Sequence, residues 1–338
     1  MSKKIDSKKI INLKKLLNKQ EFNVFILILI MGLFAWLVSP SFLTWSNIAS
    51  ILRAMSFMSI VALGMTFVFI AGELDLSIGS VVAFSGMVMG DLVLNRGVPT
   101  VIAIACGIIS GLICGIITGF ITVQFNIPAM IGSLGTQFII RGIVFVYTSG
   151  NPITPLPKGI EKLGLGNILG IPTPMVVLIV LSLIFAFILH KTTYGRKIYA
   201  IGGNKDTAWL CGINVKLTRI SVYCLTGIMA GIAGVLLTSR LSSAQPNSGT
   251  GWEMNVIASV VVGGTSTSGG VGTIIGTVLG SVLIGMLQNV LVMMKVSAYW
   301  QNIVIGAIIL VSVIFDQYRK HSAGAKMQRA VRKNKNQS

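Results

Sequence analysis

The run Phe22–Val38 (FNVFILILIMGLFAWLV) carries no charge over 17 residues. As a helix rising about 1.5 Å per residue, it comes close to the roughly 30 Å thickness of a bilayer's hydrocarbon core. Comparable apolar runs recur at Met55–Ala71, Leu76–Gly90, Thr100–Val123, Pro128–Tyr147, Thr173–Leu189, Ile220–Thr238, Thr273–Met294 and Trp300–Phe315. In lipid an isolated strand leaves its backbone groups unsatisfied, so helices are the expected form. Charge is too scarce for a soluble domain of this length, where about 25% is usual. Here 11% of the 338 residues are charged, and only nine are acidic. The chain therefore reads as an all-α, polytopic membrane bundle. A Lys-rich flank would suit a signal peptide. The first run is long for that role, however, and SPSFLTW after it offers no small-x-small cleavage site, which favours an uncleaved first span.

Basic residues give an orientation. Residues 1–19 hold seven lysines, the tail after Phe315 seven Lys and Arg, and His190–Arg219 six, so twenty of the 27 cations cluster in three segments. Clustering beside spans fits the positive-inside rule better than it fits nucleic-acid binding, despite the formal charge of +18. Both termini are then cytoplasmic and the number of crossings is even. Nine runs are clear, and the short Met254–Gly264, ending in GGTSTSGG, is the best tenth, so about ten spans with one or two short or broken helices are expected. The division is a basic cytoplasmic segment over residues 1–21, a membrane domain over 22–316 with a cytoplasmic loop at 190–219, and a basic tail at 317–338 expected to be disordered.

Within the cytoplasmic loop, Asn204 suits a helix N-cap and Gly212 a helix stop, which predicts a two-turn helix over Lys205–Cys211 with Ala208, Trp209 and Cys211 available to solvent. So short a helix is marginal alone in water. It is either a loop helix resting on the membrane or a docking element for a cytoplasmic protein. On the outer side, the proline-rich SGNPITPLPKG within Ser149–Gly170 is expected to be an ordered or extended loop. The segments VALGMTFVFIAGELDLSIGSVVAFSG and IASVVVGGTSTSGGVGTIIGTVLG share an order of apolar run, polar break and Gly/Ser-rich restart. Such an order marks broken helices beside a substrate route, or arises by chance among glycine-rich helices.

Little here supports catalysis. Two histidines and four cysteines (Cys106, Cys114, Cys211, Cys224) form no metal motif, and the cysteines read as small buried hydrophobes. Gly264–Gly269 has the spacing that opens a phosphate loop, but Gly270 and Val271 stand where Lys and Ser/Thr are required. Any energy from ATP must come from another subunit. What remains is polar residues among apolar ones. Glu73, Asp75, Arg141 and Glu253 sit in or beside spans, where ionisable groups cost on the order of 3 kcal/mol and face a cavity or one another. Arg141 is the natural partner for Asp75 or Glu73. Asp75 either caps the helix restarting at LSIGS or lines a polar passage. Gln124, Asn126, Gln137, Gln245 and Asn247 add neutral hydrogen-bonding groups that suit a hydroxylated solute.

Three motifs, VALGMTFVFIAGELDLSIGS, YGRKIYAIGGNKDTAWLCGINV and RLSSAQPNSGTGWEMNVIASVVVGGTSTSGGVGTIIGTVLG, closely resemble the permease subunits of ribose-type sugar ABC importers, in the family's order, from about Ser39 to Asp316. The resemblance implies a multi-pass permease of the bacterial cytoplasmic membrane that is not itself an enzyme. It implies three partners: an ABC ATPase with two nucleotide-binding halves that uses ATP and Mg, an extracytoplasmic sugar-binding protein, and a second permease copy, identical or paralogous. No cofactor is implied for this chain. Gly202, Gly203, Asn204, Lys205, Asp206, Ala208, Trp209, Leu210, Gly212 and Ile213 then correspond to the coupling region that meets the ATPase. Glu73, Asp75, Ser77, Gly79, Ser80, Gly263, Gly264, Thr265 and Ser266 fall at helix breaks which, with Arg141, border the translocation pathway; Asn151, Gln245, Pro246, Asn247 and Glu253 fall where the binding protein docks. Two departures bear on which sugar is carried: Glu73 stands where such permeases commonly have glycine, and Asn255 where they commonly have aspartate. The rival reading is an ion-coupled secondary transporter with Glu73, Asp75 and Arg141 as its relay. An intramembrane enzyme lacks a nucleophile and base, and an ABC exporter would need no binding protein.

Overall fold

A computed structural model describes residues 20–297, 299–314 and 318. The basic N-terminal segment up to residue 19 and nearly all of the 317–338 tail lie outside the described residues. The architecture is all-α apart from one two-residue ribbon. The order is α1 (Gln20–Val38), a 3₁₀ turn (Pro40–Leu43), α2 (Trp45–Ile70), α3 (Ile78–Leu94), α4 (Thr100–Gln124), α5 (Ala129–Thr148), α6 (Glu161–Leu165), β1 (Asn167–Ile168) and β2 (Ile171–Pro172). It continues through α7 (Thr173–Lys191), α8 (Thr193–Gly203), α9 (Lys205–Leu210), α10 (Val215–Leu241), α11 (Trp252–Val262), α12 (Ile274–Met293) and α13 (Tyr299–Ile314). All ten apolar runs are helical. Seven helices are long and apolar enough to cross a membrane, while α3, α11 and α13 are shorter.

The helices differ in how they use their apolar surface. From Met55 to Ala71 every residue of α2 but Met58 is buried, the signature of a helix at the centre of a bundle. In α1 only Val24 and Ala35 are buried; Ile28 and Met31 pack partly against the bundle, and most of its other apolar side chains are exposed. Between the extremes, α10 packs against α4, α2 and α3. Its contact with α4 is a glycine seam: Gly111 and Gly115 meet Gly227, Gly231 and the Tyr223 carbonyl with backbones so close that a Cβ on Gly111 would lie 2.5 Å from the Gly227 carbonyl oxygen. Dispersion between closely approached backbones is what holds helices together in lipid, where apolar burial offers no gain. The glycines at 107, 111, 115 and 119 repeat every fourth residue, a signal that hydropathy alone passes over.

The seam also fixes directions. Gly107 meets Val235 and Gly115 meets Tyr223, so α4 and α10 are antiparallel; Gly234 lies on Val82 and Gly86 on Thr238, so α3 and α10 run together. One end of the bundle thus gathers the α2–α3 break, the α11–α12 break and α8–α9. At the other end the loop after α5 pairs with the loop after α10, Ile153 and Ala244 exchanging backbone hydrogen bonds of 3.0 Å. The segment Ser149–Gly170 is ordered, with the five-residue α6 and the first strand of the short ribbon inside it.

Candidate functional site

Three helix ends at the α8–α9 side use the same termination. After α2, Gly72 (φ +71°) lets the Glu73 amide reach the Val68 carbonyl at 2.9 Å; after α11, Gly264 (φ +96°) lets Thr265 reach Val260 at 3.1 Å; after α9, Gly212 (φ +77°) lets Ile213 reach Ala208 at 3.1 Å. Each is a left-handed glycine stop that satisfies carbonyls the helix would otherwise orphan. The two breaks also touch, since the Gly270 amide donates to the Ile70 carbonyl at 2.9 Å. Against this junction lies the bare Cα of Gly202; a side chain there would run into the Ile70 carbonyl and the Gly270 amide. The Tyr199 hydroxyl donates to the Gly272 carbonyl at 2.6 Å, and burial pushes its pKa up to about 12, so it remains a donor at neutral pH. The last two turns of α8 therefore rest on both helix breaks at once.

From there the chain turns into α9. Asn204 caps it, its side-chain oxygen accepting from the Thr207 amide at 2.8 Å. Lys205 donates to Glu73 at 2.8 Å, Arg219 of α10 donates to the same carboxylate at 2.7 and 3.2 Å, and the Tyr223 hydroxyl lies 3.3 Å away. Glu73 is a carboxylate with a 1% exposed side chain and a donor set on three sides. Trp209 and Leu210 point away from the bundle, 67% and 75% exposed. A cavity of about 410 Å³ between Trp209 and Lys216 adjoins them. Ala208, expected at the surface, is instead buried against the bundle, while Cys211 is exposed, as its place in this helix predicted and against its grouping with the buried cysteines; the helix stops at Leu210, one residue early.

A second polar cluster lies inside the bundle. Beyond α10 the chain runs back inward as Gln245–Gly251, a run of turns with i→i+3 rather than α-helical hydrogen bonds, until Gly249 rests on Gly79 in the first turn of α3. Bare carbonyls at that depth need donors. Arg141 supplies them, its Nη1 donating to the Pro246 carbonyl at 2.6 Å and to that of Ser248 at 2.9 Å. One turn earlier on the same face, Gln137 reaches Glu253 at 3.5 Å. Glu253 Oε2 and the Ser80 hydroxyl are buried polar atoms with no partner, and Asn255 accepts from Gln288 at 3.0 Å.

Arg141 thus pairs with neither Glu73 nor Asp75, correcting that expectation: the unwound carbonyls claim it first. Asp75 has no cation and turns back on its own chain, accepting from the Ser77 amide at 2.9 Å and the Ser77 hydroxyl at 2.6 Å. It thus fixes Ser77, the residue just before α3, rather than bonding the first amides of α3. The three groups of the supposed relay are therefore engaged separately. Of the outer-loop candidates, Asn151 and Asn247 are exposed, Gln245 is half-buried, and Pro246 is buried with its carbonyl taken by Arg141. Glu253 belongs to the inner cluster. Gly263, Gly264, Thr265 and Ser266 form the second break as expected, with Thr265 and Ser266 buried. The Lys205 and Arg219 pairing with Glu73 could not be read from the sequence, because 132 and 146 residues separate the partners. Among the described residues no group of three His, Cys, Asp or Glu could hold a metal ion.

A family model described as "branched-chain amino acid transport system / permease component" matches residues 47–313, a span that includes both breaks and α8–α9. The chain belongs to this permease family. Its relatives include the ribose import permease of Bacillus subtilis, 41% identical over 302 residues (89% of this chain, 92% of the relative). The ribose import permease of Escherichia coli K12 is 39% identical over 287 residues, covering 84% and 89% of the two chains. An L-arabinose ABC transporter permease of Azospirillum brasilense is 35% identical over 289 residues, covering 86% and 85%. No solved structure matches the chain at a significant level. This permease is a multi-pass protein of the bacterial inner membrane, and the ATP its transport system uses is not hydrolysed by a permease.

Proposed function

We propose that this permease moves a monosaccharide, ribose or a close relative, inward across the cytoplasmic membrane, driven by a separate ATPase and fed by an extracytoplasmic binding protein. One observation carries the mechanism: α8 rests on both helix breaks while α9 beside it presents Trp209 and Leu210 outward. An ATPase gripping those two side chains would move both breaks together. In this reading the ten helices all cross or enter the membrane, α8–α9 and both termini are cytoplasmic, and the motor is a pair of nucleotide-binding halves. The binding protein docks at the opposite end, where the paired loops expose Asn151 and Asn247.

The passage follows the inner cluster. Ser80 Oγ and Glu253 Oε2, buried atoms without a protein partner, are a donor–acceptor and an acceptor for the hydroxyls of a passing sugar. Gln137, Arg141 and Glu253 are only half-buried, at a depth where ionisable groups do not face lipid. A second copy of the permease over this face would cover them and complete the route. Selectivity is delegated to the binding protein, and weak contacts with neutral groups allow release.

The docking claim is tested by co-purification of the ATPase with wild-type chain and with the double variant Trp209→Ser/Leu210→Ser. The expected result is retention by the wild type and a loss of at least about tenfold in the variant, as for removal of two interface anchors. Equal retention by both would place the motor elsewhere.

A further inference from the structure

We infer that Glu73 is a positioning residue that ties the first helix break to α9 through a releasable cation, Lys205, while Arg219 keeps the carboxylate paired whether or not Lys205 is engaged. The inference rests on the docking of the motor at α9 proposed above, and concerns how its movement reaches the membrane.

Glu73 follows directly on the Gly72 turn, so its carboxylate reports the position of the break. The two cations that hold it differ in kind. Arg219 comes from α10 in the middle of the bundle, is 14% exposed, and grips both carboxylate oxygens. Lys205 comes from the first turn of a six-residue helix, is 44% exposed, and touches one oxygen only. Tyr223, fully buried, adds a donor to the carboxylate and another contact at the Leu74 carbonyl, at 3.2 Å. If α9 is drawn away, the Lys205 ammonium passes into water, where it is well solvated. Glu73 retains Arg219 and Tyr223, so no charge is stranded. Stranding a buried charge is what makes ordinary buried ion pairs hard to open. The contact can therefore break and re-form in each cycle. While it holds, Glu73 Oε1 joins α9 to the break and to Arg219 of α10. A paired carboxylate with one cation would act as a fixed clamp; the second cation makes it a latch.

Two measurements test this. In the chain alone, in nanodiscs, amine acetylation is read by mass spectrometry at Lys205 and at exposed Lys216, which makes no ion pair among the described residues. Lys205 is expected to react several-fold more slowly than Lys216, and Glu73→Gln is expected to abolish the difference. Equal rates in the wild type would overturn the latch, whatever the motor does. In the complex with ATPase and binding protein, with D-ribose as probe, ATP hydrolysis is measured with and without loaded binding protein. Lys205→Ala and Glu73→Gln are expected to lower the stimulation ratio by about fivefold or more, and Lys205→Arg to keep it within about twofold. A wild-type ratio in Lys205→Ala, or failure of Lys205→Arg to restore it, would overturn the proposal. Failure of Glu73→Gln to assemble with the ATPase would do so too, since the carboxylate would then be structural. A wild-type complex that does not assemble contradicts the docking proposal instead, and the acetylation result still decides the latch.

Discussion

Glu73 and Glu253 are both carboxylates within a bundle that has almost no acids, and they are treated in opposite ways. Each oxygen of Glu73 accepts two hydrogen bonds, from donors on α9 and α10. Glu253 has one long contact, to Gln137, and a buried oxygen with no partner. A polar group fully satisfied by protein holds parts together, whereas one left short is available to something that comes and goes. The first cluster sits where helix breaks meet the α8–α9 element, the second beside an unwound segment deep in the bundle. The two differ in burial, Glu73 being enclosed and Glu253 half-buried, and they differ further in their inventory of donors.

The largest effect is expected where the holding end has no room at all. Gly202→Val should leave little folded chain, with destabilisation above about 4 kcal/mol, since its side chain meets backbone on two segments. Gly203→Val next door, with open space around it, should purify normally, and size-exclusion profiles in detergent would show the difference. Next comes Glu73→Ala, which strands Arg219 and should cost about 3 kcal/mol in thermal unfolding. Arg141→Gln should cost about 2 kcal/mol, because it uncovers the Pro246 and Ser248 carbonyls. The smallest change in stability, within about 0.5 kcal/mol, is expected for Glu253→Gln, although sugar uptake should fall markedly. If Glu253→Gln were as destabilising as Glu73→Ala, the contrast between the two sites would disappear.

Much of the architecture was legible because lipid simplifies the problem. With water excluded, an apolar run has one viable form, so all ten runs emerged as helices with ends within a few residues for most; α2 was the exception, its first ten residues too polar at Trp45, Ser46, Asn47 and Arg53 to count. The cap at Asn204 and the stop at Gly212 were legible too, because both are local chemistry. The inward turn of Ala208 was not, since it depends on the packing of α8 and α9 against the bundle. Nor were charge partners. Arg141 looked like the mate of Glu73 because both are ionisable and rare, but a guanidinium goes to whatever acceptors stand nearest. Those belong to Gln245–Gly251, a segment that read as an outer loop and in fact returns inward. The glycines of α4, four residues apart, carried an unread message about its contact with α10.

The central claim is that force reaches this chain from a separate motor at α8–α9. Sugar uptake into proteoliposomes measures it most directly, comparing chain alone with chain plus ATPase, binding protein and ATP. Concentrative uptake is expected only in the full mixture, and it should vanish when ATP is omitted. Accumulation against a gradient by the chain alone, under an imposed proton or sodium gradient, would contradict the account.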